Sequence, residues 1–497
     1  MGVTNLWTVL GSCMEHDVPT SSFSGQTLAV DLSAWLVEFS KVKTKGGRRF
    51  NLCVRNLLYR ILHLMSQGLK LLFVVEGKVP DVKRNTMIQR QKQNFGALSP
   101  TCKSSQLADR SSFNCYTETS CELLDSLGVP WLRSEGEGEA LCAQLNKDGV
   151  VDACMTEDSD VLLYGARRVY RNFRRVGADS YVDICQMEDV ESDLNLNRQD
   201  LIAMALMIGC DYHKQGVKNV GKIKSMNLVE EFKAKNLDPL ERLCGWRENE
   251  ELIKHQAVLS SDDRQQMHCS KCAHIGTVEC HRSGGCEPCD TQTDCRADSD
   301  PCHCLLCKAR VNKLELDLRD KALQDALFPH HDIIKEFLNF KCDNLESVEV
   351  DYKPPSLSKL IAFLEQYIKI EGEKMMKHLC VAFLQLQLKH ISKFSCLCFK
   401  PRRIIKHCKH SHRPSYEIEW EKLDSDIWTI SDVYTMKVER EQFSTNFPVM
   451  AEEYESQCMR TLEGKKRQKA RCQTTVDDFF KRTKRLRSVK NSGIIID

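Results

Sequence analysis

The sequence predicts an α/β fold, a mostly parallel sheet flanked by helices, with smaller modules appended. Three observations carry this prediction. Short apolar stretches end on acids at 27–31 (TLAVD), 69–77 (LKLLFVVEG, with Glu76) and 150–160 (VVDACMTEDSD). Helical patterns lie between them, such as FNLCVRNLLYRILHLMSQG over 50–68, closed by a glycine. Apolar strands alternating with helices imply a sheet covered on both faces. Ligands of such sheets bind beyond the carboxyl ends of the strands, so the acids at those ends are expected to converge on one edge.

The remaining segments follow in order. Residues 1–96 form the first half of the sheet domain. Residues 97–118 are polar, Ser-rich and aperiodic, and are read as a mobile arch or linker. Residues 119–205 resume strand and helix. Residues 206–345 hold a helical pair joined by a glycine-punctuated turn and a Cys-rich insert over 268–308. A helical connector spans 346–390, a small module of strands then helix spans 391–458, and a basic tail spans 459–497.

The bulk numbers exclude several classes. A chain of 497 residues has room for two to four domains, at about 100–200 residues each. With 42% hydrophobic and 28% charged residues it has a soluble globular balance. No run approaches the ~18 apolar residues of a membrane span, and the N-terminus lacks the basic start and apolar core of a signal peptide. An intracellular chain is expected, so its 26 cysteines are read as thiols or metal ligands. The net charge of +2 names no partner, but residues 461–497 carry eleven Lys/Arg against four Asp/Glu. Such a tail suits nucleic acid, an import receptor, or plain solvation.

Seven acids fall near the predicted edge: Asp31, Glu76, Glu137, Glu139, Asp158, Asp160 and Asp211. Two unit charges ~4 Å apart cost about 4 kcal/mol at an effective dielectric near 20, so the cluster needs cations. All-oxygen ligands select Mg²⁺, with Mn²⁺ as a substitute. Two such ions about 3.5–4 Å apart suit in-line displacement at phosphorus. Each acid also has a local reading: Ser134 with Glu137 fits a capping box, Asp158 a turn, and Asp31 a helix cap.

The blocks MGVTNLW, AVDLSAWL, FVVEGKVPDVKRNTMIQR, GEGEALCAQLN, TEDSDVLLYG and IGCDYHKQGVKNVGK, in that order within residues 1–235, resemble those of the flap endonuclease/XPG family of structure-selective 5′ nucleases. The resemblance implies a PIN-like core and makes the seven acids the ligands of two Mg²⁺ ions. It matches Lys83 and Arg90 to the basic pair facing the scissile phosphate; their spacing of seven puts both on one helix face. It places Gly2 near DNA. It makes Gly216–Gly221 (GVKNVG) the turn of a helix–two-turn–helix that holds duplex DNA with a K⁺ ion, where Lys218 and Lys222 add phosphate charge. An ordinary helical hairpin is the plainer alternative for that turn.

Cys269-x₂-Cys272 and Cys286-x₂-Cys289 have zinc-ribbon spacing, which predicts a structural Zn²⁺, against a thiol-rich loop without metal. The stretch RRIIKHCKH…PSYEIEWEKLD resembles the chromodomain of GEN-type Holliday-junction resolvases, a branch of the same family. There Tyr416, Trp420 and Trp428 form either a methyl-lysine cage or a core, while Arg402, Arg403 and Lys406 suit phosphate. QTTVDDFF matches a sliding-clamp peptide through Gln473, Val476, Phe479 and Phe480, against a fraying helix; KRTKRLR over 481–487 fits a nuclear import signal.

Together these features predict a Mg²⁺-dependent endonuclease for branched DNA, including Holliday junctions, 5′ flaps and replication forks. It is expected in the nucleus, away from membranes, monomeric in solution and dimeric on junctions. A plain flap endonuclease and a non-catalytic scaffold for DNA and clamp are the alternatives. A junction has no free end to thread, so the aperiodic 97–118 stretch is read as an open gateway.

Overall fold

The computed structural model of the chain describes residues 2–40, 49–77, 103–177, 179–260, 268–293, 295, 302, 304–342, 350, 352–353, 355–368, 381–385, 387–388, 399–410, 413–422 and 433–490. Lys83, Arg90 and Trp428 lie outside these residues.

The sequence's apolar stretches are the interior of a seven-stranded sheet. Its strands are β1 (Met14–Pro19), β2 (Thr27–Asp31), β3 (Lys70–Val75), β4 (Trp131–Arg133), β5 (Ala153–Met155), β6 (Arg168–Val176) and β7 (Asp179–Gln186), in the order β1-β7-β6-β5-β2-β3-β4. β2 lies centrally and pairs in parallel with both β3 and β5, with Leu28 opposite Leu71 and Ala153. β3 with β4 and β5 with β6 are also parallel, while β1 and β7 add antiparallel pairs. The sheet is mostly parallel, as the sequence predicts.

Side chains alternate across a strand, and the two faces bury different halves of the core. Leu28, Val30, Leu71, Phe73 and Val75 face α1 (Leu32–Ser40), α2 (Arg49–Ser66) and α3 (Lys103–Leu127). Ala29, Leu72, Val74 and Cys154 face α4 (Gly138–Lys147), α5 (Asp160–Tyr164) and α6 (Arg198–Ile208).

The structure corrects the reading of 97–118. From Lys103 this stretch is helical and continues without a break to Leu127. Its far end buries Cys121, Leu123, Leu124 and Leu127, which anchors the helix. No Gly or Pro interrupts 103–127, so the helix propagates backward from the anchored end despite its serines. Residues 97–102 lie outside the described residues.

α6 starts on a capping box between Asn197 and Asp200 and leads through the Gly216–Gly221 turn into α7 (Lys222–Ala234). The C-terminal module is a three-stranded antiparallel sheet, β8 (Phe399–His410), β9 (Arg413–Lys422) and β10 (Val433–Glu439), in the order β10-β9-β8. It is followed by α8 (Arg440–Asn446) and α9 (Pro448–Lys490). Tyr416 and Trp420 are fully buried, and each meets Phe443 edge-on, at 5.8 and 6.1 Å between ring centroids. They are core aromatics, which leaves no room for a cage built on them. The predicted boundary at 458/459 falls inside α9; Glu, Lys, Arg and Gln dominate there and carry the helix on.

Candidate active site

Parallel strands deliver their carboxyl ends to one side, and three acid-bearing segments leave the sheet there. Asp31 closes β2, Glu76 follows β3, and Asp158 and Asp160 follow β5. Asp31, Glu137, Glu139, Asp158, Asp160 and Asp211 are buried, and Glu76 is half-buried.

The acids form two joined groups. In the first, one carboxylate oxygen from each of Glu76, Glu137 and Glu139 lies within 4.8 Å of the others. Asp31 joins them through a side-chain hydrogen bond with Glu139. Its carboxylate also accepts the N–H groups of Ser33 at 2.9 Å and Ala34 at 3.3 Å. The capping reading of Asp31 therefore holds alongside the site reading, because the first turn of α1 offers donors to the same carboxylate. The capping box of Ser134 and Glu137 does not form. Glu137 occupies the N-cap position of α4 with no side-chain capping bond, and Ser134 Oγ donates instead to the Glu137 carbonyl at 2.9 Å.

The second group is Asp158, Asp160 and Asp211. The Asp160 N–H donates to Asp158 Oδ1 at 3.1 Å, so Asp158 also shapes its turn. The N-terminal segment docks over this group: the Gly2 N–H donates to Asp211 Oδ1 at 3.2 Å and the Val3 N–H to Ser159 Oγ at 2.9 Å. Trp7 Nε1 donates to the Glu157 carbonyl at 3.0 Å. At φ +85°, Gly2 has a conformation that favours glycine. A Cβ there would lie 2.2 Å from Asp158 Oδ1 and 2.8 Å from Asp160 Oδ1. Gly2, expected near DNA, thus packs directly against the acids.

Asp31 feels both groups. Burial first, then repulsion from Glu76 and, more weakly, from Asp158, push its carboxyl up to about 7, against the hydrogen bonds from Glu139 and Ser33. A buried, oxygen-only cluster of this density fits hard divalent cations such as Mg²⁺ or Mn²⁺. Asp31, Glu76, Glu137 and Glu139 would hold one ion, and Asp158, Asp160 and Asp211 a second.

Sequence reasoning missed several supporting groups. Ser159 is buried and fixes the N-terminal segment, although TEDSD displays it. The hydroxyls of Tyr164 and Tyr212 hydrogen-bond each other in the interior. Burial and the nearby Glu137 hold the Tyr212 phenol well above its usual range. Only pairing through space reveals that contact.

The other predicted residues are placed as follows. Gly216 sits at φ +52° in the turn, and Gly221 is the N-cap of α7. Lys218 is exposed and Lys222 half-buried beside that helix start. Arg402 and Arg403 reach Glu419 at 3.2 and 2.6 Å, and Lys406 reaches Glu417 at 3.0 Å. Gln473, Val476, Phe479 and Phe480 are exposed on α9. The zinc quartet is corrected: Cys269 groups with Cys272, His281 and Cys295, whereas Cys286 and Cys289 group with Cys272 and His274. Two histidines from the stretch between the Cys pairs enter: His274, two residues past Cys272, and His281, on the helix Val278–Gly284, are both buried.

Fold and site define a class, an α/β core that gathers carboxylates for divalent ions at the ends of its parallel strands. Residues 1–97 match the XPG N-terminal domain and residues 128–211 the XPG I-region, and the chain belongs to the XPG family. It is 33% identical over 436 residues to the human protein "Flap endonuclease GEN homolog 1", covering 85% of this chain and 46% of that one. The mouse protein of the same name is 35% identical over 432 residues, with the same coverage of 85% and 46%. The chain therefore spans about half the length of these relatives. Among solved structures, human GEN1 in complex with Holliday junction DNA matches with a TM-score of 0.66 and 27% identity, over 94% of this chain and all of that one.

The raised Asp31 pKa makes a prediction. The ordinary value is 3.8 and the folded one about 7. Between them the metal-free folded chain binds the extra proton, so this group's contribution to stability falls as pH rises through that window. Divalent ions compete with the proton. The Mg²⁺-induced rise in melting temperature is expected to be larger at pH 8 than at pH 6. Asp31→Asn should raise the metal-free melting temperature at pH 8 and flatten the difference. A Mg²⁺ response equal at both pH values and indifferent to the variant contradicts this assignment.

Proposed function

We propose that the chain is a divalent-metal-dependent, structure-selective DNA endonuclease of repair and recombination that resolves Holliday junctions and cuts 5′ flaps. The observation that carries this reading is the convergence of seven acids from separate segments on one sheet edge, with Asp31 titrating near neutrality. When bound, Mg²⁺ supplies positive charge for displacement at phosphorus and lowers the pKa of water. The chain's own acids hold and space that charge, and the first turn of α1 orients Asp31. The Gly2 N–H orients Asp211. By their place in the family motif, Lys83 and Arg90 stabilise charge developing on the scissile phosphate.

DNA is held by the turn between α6 and α7. The N-terminus of α7 offers backbone N–H groups to phosphate, and Lys218 and Lys222 add charge; a K⁺ ion completes the turn. Arg402, Arg403 and Lys406 contact phosphate by exchanging their present carboxylate partners. The Cys-rich insert holds structural zinc. Two coordinated nicks per junction require two copies, so the chain dimerises on DNA.

The helix α3 fills most of 97–118, so that stretch gives no support to a preference for junctions. The preference rests on the GEN-type similarity, which covers 85% of the chain in sequence and 94% of it in structure. KRTKRLR directs the chain to the nucleus. Phe479 and Phe480, at 66% and 64% exposure, enter an apolar pocket of a sliding clamp with Gln473 as the polar anchor.

The reading is tested with a labelled four-way junction and a labelled 5′ flap, each with and without Mg²⁺. The wild-type chain is expected to cut both only with Mg²⁺, and Glu137→Gln to lose about 10²-fold or more while still binding the junction. Binding without Mg²⁺-dependent cutting by the wild type leaves the scaffold reading; flap cutting alone leaves the plain flap endonuclease. For the clamp, immobilised clamp should retain the wild type and not Phe479→Ala/Phe480→Ala; equal retention rejects that assignment.

A further inference from the structure

The insert between helices Glu250–Ser260 and Leu305–Val311 is built inside out. Its interior consists of Cys269, Cys272, Cys286 and Cys289, with His274 and His281 also buried. Among the described residues, the apolar partners packed beside those thiols are Val278 and Cys295, while Ile275 is 47% exposed. Ordering a segment costs backbone entropy, and apolar burial normally opposes that cost. Here it is nearly absent. None of the nine cysteines of 269–307 forms a disulfide, so no cross-link replaces it.

Three groups of four ligand atoms lie within coordination range: Cys269, Cys272, His281 and Cys295; Cys272, His274, Cys286 and Cys289; His268, Cys302, Cys304 and Cys307. Tetrahedral zinc, with Zn–S about 2.3 Å and Zn–N about 2.0–2.1 Å, sets ligand edges of about 3.8 Å for S···S and about 3.5 Å for S···N. The observed edges match. Cys269 to Cys295 is 3.7 Å and Cys272 to Cys286 is 3.9 Å, Sγ to Sγ. His281 Nδ1 lies 3.4 Å from Cys272 Sγ, and His274 Nδ1 lies 3.5 and 3.3 Å from Cys286 and Cys289. His268 Nε2 lies 3.5 and 3.1 Å from Cys304 and Cys307.

We propose that residues 268–307 fold around three zinc ions, two of them joined by Cys272 Sγ as a bridging thiolate. This rests on the structural-zinc reading above and gives it a number and a connectivity. Two tetrahedral ions sharing one ligand take seven donors, the number that the two overlapping groups supply. The surroundings orient those donors. His281 Nε2–H donates to the Ile275 carbonyl at 2.7 Å, which turns Nδ1 toward the thiols. Gly276, at φ +119°, admits the ring; a Cβ there would lie 2.7 Å from His281 Nε2. Tight turns hold each Cys-x₂-Cys pair, with Cys269 N–H donating to His274 O and Cys286 N–H to Thr291 O, both at 2.8 Å. The third ion ties His268 to the start of helix Leu305–Val311 and so closes the base of the insert. Each thiol gives its proton to water as the metal binds. Cys280 is exposed and belongs to none of the groups, which makes it an internal control.

The test is metal content of the purified full-length chain by mass spectrometry, with ¹¹³Cd NMR of the cadmium-substituted protein. Three zinc ions per chain are expected for the wild type and for Cys280→Ser. Cys272→Ser should lose two together. In the wild type, two of three ¹¹³Cd resonances should split each other through the shared sulfur, a readout that does not depend on the variant folding. One zinc, or several without ¹¹³Cd–¹¹³Cd splitting, overturns the bridged cluster and leaves structural zinc standing. No zinc overturns both readings and leaves the nuclease reading to its own cleavage test.

Discussion

Like-charge repulsion among buried carboxylates is the constraint on which the rest depends. β5, β2 and β3 run parallel and side by side, so the acids that follow them arrive at one place whatever their separation in sequence. The fold offsets part of the cost. Asp31 takes two N–H donors from α1, and Asp211 takes one from Gly2. The rest remains: burial first, then repulsion from Glu76 and Asp158, leave Asp31 holding its proton up to about pH 7. Such an arrangement suits divalent charge, and the N-terminal segment, α1 and α4 hold the acids in place for it.

Much of this was legible in the sequence for one reason: a parallel strand buried on both faces reads as an apolar run, and an acid at its end is conspicuous. TLAVD, LKLLFVVEG and VVDACMTEDSD gave the central strands and four of the seven acids. Local chemistry misled at Ser134 and Glu137, where a capping-box pattern was present but the hydroxyl bonded the Glu137 carbonyl instead. It misled again at 103–118, where serines suggested a linker but a helix anchored by Leu123, Leu124 and Leu127 extends through them. The hydroxyl pair of Tyr164 and Tyr212 and the seat of Gly2 were not legible, because each joins segments far apart in the chain.

The appended parts follow other rules. In the C-terminal module, Tyr416 and Trp420 are committed to the core, which leaves charged side chains along β8 as its outward chemistry. In the insert, cysteine and histidine occupy the positions that Leu and Val hold elsewhere. Pair spacing alone suggested one quartet; the two histidines and the sharing of Cys272 emerge only when the turns are folded. On the readings proposed above, the chain places hard oxygen donors where exchangeable ions are needed and soft sulfur donors where a segment must simply be held.

The seven acids are proposed to form two adjacent cation sites rather than a diffuse acidic surface. Electron paramagnetic resonance of the metal-free chain titrated with Mn²⁺ tests it most directly. Two neighbouring Mn²⁺ ions should give a spin-coupled signal, absent in Asp31→Asn. Isolated, uncoupled Mn²⁺ signals that are unchanged by the substitution would contradict it.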